Sequence, residues 1–175
     1  RTVVLTHVPE AVMVTYKDTA DIKEKLAGEL DWADCVVAGP GLSKSDTAKE
    51  IVAEMIAYQP KREKRLPVLL DADALNIIAE NRKLLSGIAE NEGSSKQYVY
   101  TPHMGEAARL SGKSIAQLKE TSCESAKELA QKLCGVCVLK DAATIVSDGS
   151  RIYINTSGNS GMSTAGAGDT LTGIL

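Results

Sequence analysis

Four short apolar runs, each ending in a polar or glycine-rich segment, constrain this chain more than any other feature of its sequence. Asp34 to Ala38 (DCVVA) leads into Gly39-Pro40-Gly41-Leu42, and Pro67 to Leu70 (PVLL) into Asp71-Ala72-Asp73-Ala74-Leu75-Asn76. Tyr98 to Tyr100 leads into Thr101-Pro102-His103-Met104-Gly105-Glu106, and Val136 to Leu139 (VCVL) into Lys140-Asp141-Ala142-Ala143-Thr144. The runs recur at about 30 residues, the length of one strand–helix unit. Strands apolar on both faces belong to a parallel sheet covered by helices, so the expected class is α/β. Ligands of such sheets sit beyond the carboxyl ends of the strands, and the four terminal segments should converge on one rim.

The stretches between fit that frame. Ile22, Leu26 and Leu30 recur four apart and predict a helix over 21–30. Ser45 is placed to cap a helix through about Tyr58, with Ile51, Val52, Met55 and Ile56 on one face. Short helices are expected over 74–80 and from His103 to about Leu110, and two more capped by Ser114 and by Thr121 or Ser122. Residues 2–8 (TVVLTHV) read as a strand and 87–96 as a polar loop. Ser147-Asp148-Gly149-Ser150 reads as the turn of a hairpin between 144–146 and 151–154. No linker, low-complexity segment or internal repeat divides the chain, so residues 1–175 are read as a single domain.

Composition excludes several function classes. The 20 basic and 23 acidic residues give a net charge of −3, and no basic patch invites nucleic acid or an anionic membrane. Aromatic residues are 3% with no Phe, which disfavours base-stacking platforms. No apolar run approaches the roughly 18–20 residues of a membrane helix. Cys35, Cys123, Cys134 and Cys137 are few and sit in apolar or helical contexts, so they are expected to be buried, reduced thiols in a cytoplasmic protein. Arg1 is not a start methionine and no signal-peptide pattern follows it. Residues 166–175 read as a helix cut short, so the domain is expected to be incomplete at both termini, and the chain alone poorly stable or inactive.

The strongest local signal is the stretch from Ser157 to Gly173, which holds Gly158, Gly161, Gly166, Gly168 and Gly173. Small side chains let backbone amides approach an anion. Apolar residues after Asp169 follow helical spacing, which puts Gly166-Ala167-Gly168 at a helix N-terminus, where amides and dipole favour phosphate. Asp169 beside such a phosphate can accept a proton from a substrate hydroxyl. It can equally be a first-turn aspartate stabilised by the dipole. Two nucleotide motifs fail: Gly112-Lys113-Ser114 lacks the first P-loop glycine, since position 107 is Ala, and Gly166-x-Gly168 lacks a glycine at Leu171.

The ordered set GPGL, DADALN, TPHMGE, VLKDAATIV and GNSGMSTAGAGDTLTG, spanning Gly39 to Gly173, resembles the NAD(P)H-hydrate dehydratase family, a branch of the ribokinase-like superfamily. The resemblance implies a ribokinase-like three-layer sandwich with a mostly parallel sheet, lacking here its N-terminal strands and C-terminal helices. It implies repair of hydrated NADH and NADPH with ADP or ATP as co-substrate and Mg2+ as cofactor: the ring hydroxyl is phosphorylated, and phosphate leaves as the double bond reforms. Asp169 matches the residue that binds and deprotonates that hydroxyl. Gly41 and His103 match hydrate-binding positions. Lys140, Asp141, Ala142, Ala143 and Thr144 match the nucleotide segment, with Gly168 also at the nucleotide. Amides of Gly166, Ala167 and Gly168 would stabilise the transferring phosphoryl group. Glu106 matches an acidic position that helps hold Mg2+ through water in the wider superfamily. A homo-oligomer, often a tetramer, is implied as well.

This chain departs from the family pattern at Asp141, where glycine usually follows the lysine, and at Ala165, often glycine. A carboxylate at 141 repels phosphates unless it points to solvent or ribose. Plainer readings stand beside these. Gly39-Pro40-Gly41 can be a tight turn, His103 a helix cap, Glu106 a solvated first-turn carboxylate and Lys140 a strand-end lysine. Asp71 and Asp73 can form an acid/base pair, but the structural reading is preferred: Asp73 caps the helix from Ala74 and Asp71 binds loop amides. His7 is read as incidental and Trp32 as packing. The rival functions are a vitamin-precursor kinase of the same superfamily and a non-catalytic nucleotide-binding module.

Overall fold

The computed structural model describes residues 2–16, 19–58, 66–90 and 96–175. Its frame is one six-stranded sheet in the order of the chain: β1 (Val36–Ala38), β2 (Leu66–Leu70), β3 (Lys96–Tyr100), β4 (Gly135–Leu139), β5 (Thr144–Ser147) and β6 (Ile152–Asn155). The first four strands pair in parallel, and β4, β5 and β6 pair antiparallel, the last two as the expected hairpin. Parallel neighbours require crossovers, and helices supply them. These are α3 (Asp46–Ala57), then α4 (Ala72–Glu80) and α5 (Arg82–Glu90), then α6 (Met104–Ser111), α7 (Ile115–Glu120) and α8 (Ser122–Lys132). The crossover helices touch one another, α3 with α4 and α5, α4 with α6, and α6 with α8, so they share one face of the sheet.

Burial follows from that arrangement. The rung Leu70, Tyr100, Cys137 and Ser147 runs across the helix-covered face and is fully buried. Val52, Met55 and Ile56 of α3, Leu75, Ile77 and Ile78 of α4, and Leu129 of α8 belong to the same core. On the opposite face Val37 is 50% exposed. Gly135 stands opposite Tyr98, where a Cβ would lie 2.6 Å from the Tyr98 carbonyl and 2.8 Å from the Tyr100 ring. That ring's hydroxyl donates to the Leu133 carbonyl at 2.7 Å.

Several expectations are corrected. Residues 2–7 form a helix, α1 (Thr2–His7), and not a strand; the Val8 amide closes on the Val4 carbonyl at 2.8 Å. A strand borrows its hydrogen bonds from a neighbour, whereas a helix makes its own, and β1 pairs with β2 alone among the described strands. The polar segment expected over 87–96 is helical up to Glu90 and enters β3 at Lys96; 91–95 lie outside the described residues. Trp32, the last residue of α2 (Thr19–Trp32), is 70% exposed and donates to Glu29 instead of packing inside. Cys35 is exposed and, of the four cysteines, only Cys137 is buried; none of the four is in a disulfide. Among the described residues no helix is long and apolar enough to cross a membrane.

Candidate active site

The four strand ends meet on one rim because the ladder continues past them. The Asp71 amide donates to Ala38 O at 3.1 Å, Thr101 to Leu70 O at 3.2 Å, and Lys140 to Pro102 O at 2.8 Å. After β1 the chain turns tightly, with Leu42 N donating to Gly39 O at 3.0 Å. Gly39 has φ of 130°, and a Cβ there would lie 1.7 Å from the Asp71 carbonyl, so only glycine fits. Gly41 faces open space. The Asp73 carboxylate accepts from the Ser43 amide at 2.8 Å and pins this loop to α4. The expected roles of the two aspartates are therefore reversed in place. Asp71 stands at the N-cap of α4 without a side-chain cap bond, and Asp73 lies within the first turn.

Asp71 looks across the rim instead. Its carboxylate accepts from Lys140 Nζ at 2.9 Å through Oδ1, and from Thr172 Oγ1 at 2.8 Å through Oδ2. Burial drives its pKa up, but the hydrogen bonds from Lys140 and Thr172 outweigh it and hold the carboxyl below the usual range. Thr172 belongs to α9 (Ala167–Ile174), the helix opened by the glycine-rich stretch. Gly166 is its N-cap at φ 85°, and the first intrahelical bond runs from Thr170 N to Gly166 O at 2.9 Å. The Ala167 amide is taken by Thr164 O at 3.3 Å. The Gly168 and Asp169 amides stand in the first turn, where the helix offers no carbonyl. Asp169 is exposed there, and Lys140 Nζ lies 3.6 Å from the position of a Cβ on Gly168. The Lys140 ammonium and the first-turn amides thus share one corner of the rim, with the exposed Asp169 on the same turn.

The second corner is the start of α6. His103 is the N-cap: its Nδ1 accepts from Gly105 N at 2.9 Å, and its Nε2 lies 3.3 Å from Glu106 Oε1. Glu106 Oε2 accepts from the His103 amide at 2.9 Å. Burial pushes the Glu106 carboxyl above its ordinary range, despite the downward pull of the His103 amide. Both oxygens of Glu106 are engaged by His103, and among the described residues no group of three His, Cys, Asp or Glu is placed to hold a metal. These residues do not fit a direct, protein-held Mg2+. Asp141, the departure from the expected glycine, turns toward Lys119 of α7 at 3.9 Å, which partly offsets its charge. Ala142 and Ala143 are exposed ahead of β5, which starts at Thr144.

The structure thus brings Lys140 and the turn of Gly168 and Asp169 together, with His103 at the end of the adjacent β3 and Gly41 three strands away, after β1. Sequence reasoning missed Thr172 and the use of Asp71. Both left a signal: Asp71 and Lys140 are the first polar residues after apolar strands, and Thr172 is a hydroxyl between Leu171 and Ile174.

A sequence model described as NAD(P)H-hydrate dehydratase matches residues 1–175. The chain belongs to the NAD(P)H-hydrate dehydratase family. It is 40% identical over 153 residues to the bifunctional NAD(P)H-hydrate repair enzyme Nnr of Escherichia coli, covering 87% of this chain and 27% of that protein. The chain thus spans about a quarter of the curated relatives' length. Among solved structures, a Streptococcus mutans protein superposes with TM-score 0.77 at 27% identity, over 98% of this chain and 56% of its own. The ADP/ATP-dependent NAD(P)H-hydrate dehydratase of Bacillus subtilis, co-crystallised with ATP/Mg2+, superposes with TM-score 0.69 at 27% identity, over 98% of this chain and 55% of its own. The α/β, ribokinase-like architecture expected from the sequence is the one observed.

Proposed function

We propose that this rim carries out nucleotide-dependent dehydration of hydrated NADH or NADPH. The observation that carries the reading is the corner where Asp169, the first-turn amides of α9 and the Lys140 ammonium stand together. Hydroxide is a poor leaving group and phosphate a good one. The first step therefore forms a bond between the ring hydroxyl oxygen and the terminal phosphorus of ADP or ATP and breaks the bond to the remaining nucleotide. Asp169 accepts the hydroxyl proton as that bond forms. The Gly168 and Asp169 amides, with the α9 dipole, stabilise charge on the transferring group, and the Lys140 ammonium, partly offset by its ion pair with Asp71, adds positive charge beside them. Phosphate then departs with the C–O electron pair while the neighbouring ring carbon gives its proton to solvent water, and the C–H electron pair restores the double bond.

Substrate binding follows from the open parts of the rim. Gly41 leaves room for the hydrate to approach the β1 turn. His103 contributes its half-exposed imidazole as a flat surface, since both ring nitrogens face protein partners. Lys140 to Thr144 takes the nucleotide. The partner of Asp141 on α7 lowers the repulsion that this carboxylate would otherwise exert on phosphates. Mg2+ enters on the nucleotide phosphates with its waters, a mode that needs no protein cage.

The test mixes the intact protein with NADH hydrate, Mg2+ and ADP or ATP and follows the return of NADH absorbance. Turnover is expected with at least one nucleotide, and Asp169→Asn should lower it by ~10²-fold or more, the range of a lost general base. A stable phosphorylated product from a vitamin precursor, with no NADH formed from its hydrate, would instead identify a kinase. Full turnover in Asp169→Asn removes that residue from its role.

A further inference from the structure

One carboxylate reaches both halves of the proposed catalytic corner. Asp71 is 2% exposed and lies at the end of β2. Its two oxygens are divided between Lys140 Nζ, 69 residues away in sequence, and Thr172 Oγ1, 101 residues away. Aspartate at an N-cap ordinarily turns to the amides of its own helix, and Asp71 does not. Thr172 stands three residues after Asp169, on the same side of α9 within one turn. A tether on its hydroxyl therefore sets the rotation and depth of the turn that carries Asp169. The other tether sets the ammonium, which lies beside Gly168 in that same turn.

We propose that Asp71 is a positioning residue: by holding Lys140 through its charge and α9 through Thr172, it fixes the separation of the phosphate-facing ammonium from the Asp169 turn. The inference rests on the dehydration proposed above. In-line transfer needs the base, the acceptor oxygen and the phosphoryl donor in register, and a misplacement of about 1 Å costs on the order of 10²-fold in rate. Thr172 is the sharper probe of the two. Thr172→Val keeps the shape and the Asp71–Lys140 pair while removing the tether. Thr172→Ser keeps the hydroxyl. Asp71→Asn can still accept from Thr172 but no longer holds the ammonium by charge.

The experiment compares the intact unmutated protein with these three variants. It reads kcat, nucleotide KM and, without ligands, backbone amide exchange over residues 166–170. Thr172→Val should lose roughly 10- to 100-fold in kcat with nucleotide KM within about threefold. Its α9 first turn should exchange faster, and Thr172→Ser should restore both. Asp71→Asn should raise nucleotide KM as well as lower kcat. A merely structural hydroxyl would lower Tm and leave kcat per folded molecule, KM and their rescue by serine unmoved; that result overturns the proposal. If the unmutated protein regenerates no NADH, the dehydration fails first. The exchange data then decide the tether alone: a loosened turn in Thr172→Val supports it, and unchanged exchange overturns it.

Discussion

Burial and hydrogen bonding pull the Asp71 carboxyl in opposite directions, and the hydrogen bonds from Lys140 and Thr172 win, leaving it below the ordinary range. A lowered folded-state value means the unfolded chain binds the extra proton first as pH falls. The stabilisation is fully present above the usual aspartate value and is lost as pH drops through the folded-state value. Glu106 has the opposite sign: burial raises it, so the folded state holds the proton longer and stability declines as pH rises above the usual glutamate value. Urea unfolding as a function of pH checks both. Asp71→Asn should flatten the acid limb below about pH 4, near the ordinary aspartate value, and Glu106→Gln should flatten the decline above it. An acid limb unaltered by Asp71→Asn contradicts the buried ion pair. That pair was only half legible in the sequence. Two polar residues after two apolar strands are visible as such, but that they face each other requires β2, β3 and β4 in register.

At the scale of elements, the turn after β1 carries the clearest prediction. At Gly39 a side chain meets both a disfavoured φ and the Asp71 carbonyl at 1.7 Å, so the end of β1 must move away from β2. At Gly41, φ is also positive, but the space is open. Gly39→Ala should therefore destabilise by at least about 3 kcal/mol, combining strain with overpacking. Gly41→Ala should cost only about 1–2 kcal/mol, the left-handed penalty alone. Equal urea midpoints for the two variants would contradict this geometry. Elements with a local cause were predicted well. Ser45 caps α3 through Ala48 N at 3.2 Å, and Ser114 and Gln117 form a reciprocal capping box on α7. Elements lacking such a cause were not. The β-branched residues of 2–7 suit a strand, but without a paired edge the segment hydrogen-bonds to itself as α1. Ile88 of α5 is fully buried in the core, and the signal for it lies before the polar segment, in Leu84 and Leu85 at helical spacing.

For the whole molecule, sequential strand order puts the carboxyl ends side by side and makes Cys137 part of the most deeply buried rung. Burial pushes its thiol up to about 12, whereas Cys35 is exposed just before β1. A thiol reagent followed by mass spectrometry should label Cys35 within the native state and leave Cys137 untouched until the protein unfolds, because the thiolate is the reactive form. Early labelling of Cys137 would contradict the sheet order around it.

Sequence by itself determined the α/β class, the convergence of the strand ends on one rim, the glycine-rich stretch as a helix start and the family resemblance. These depend on periodicity, capping and local backbone freedom, which act over a few residues. Tertiary structure alone decided that Asp71 serves Lys140 and Thr172 and not its own helix, that His103 and Glu106 close on each other, and that Asp141 turns to Lys119. Each of those outcomes depends on which side chain first meets an opposite charge or an open donor across the rim. That is set by strand register and helix placement, and no local pattern encodes it.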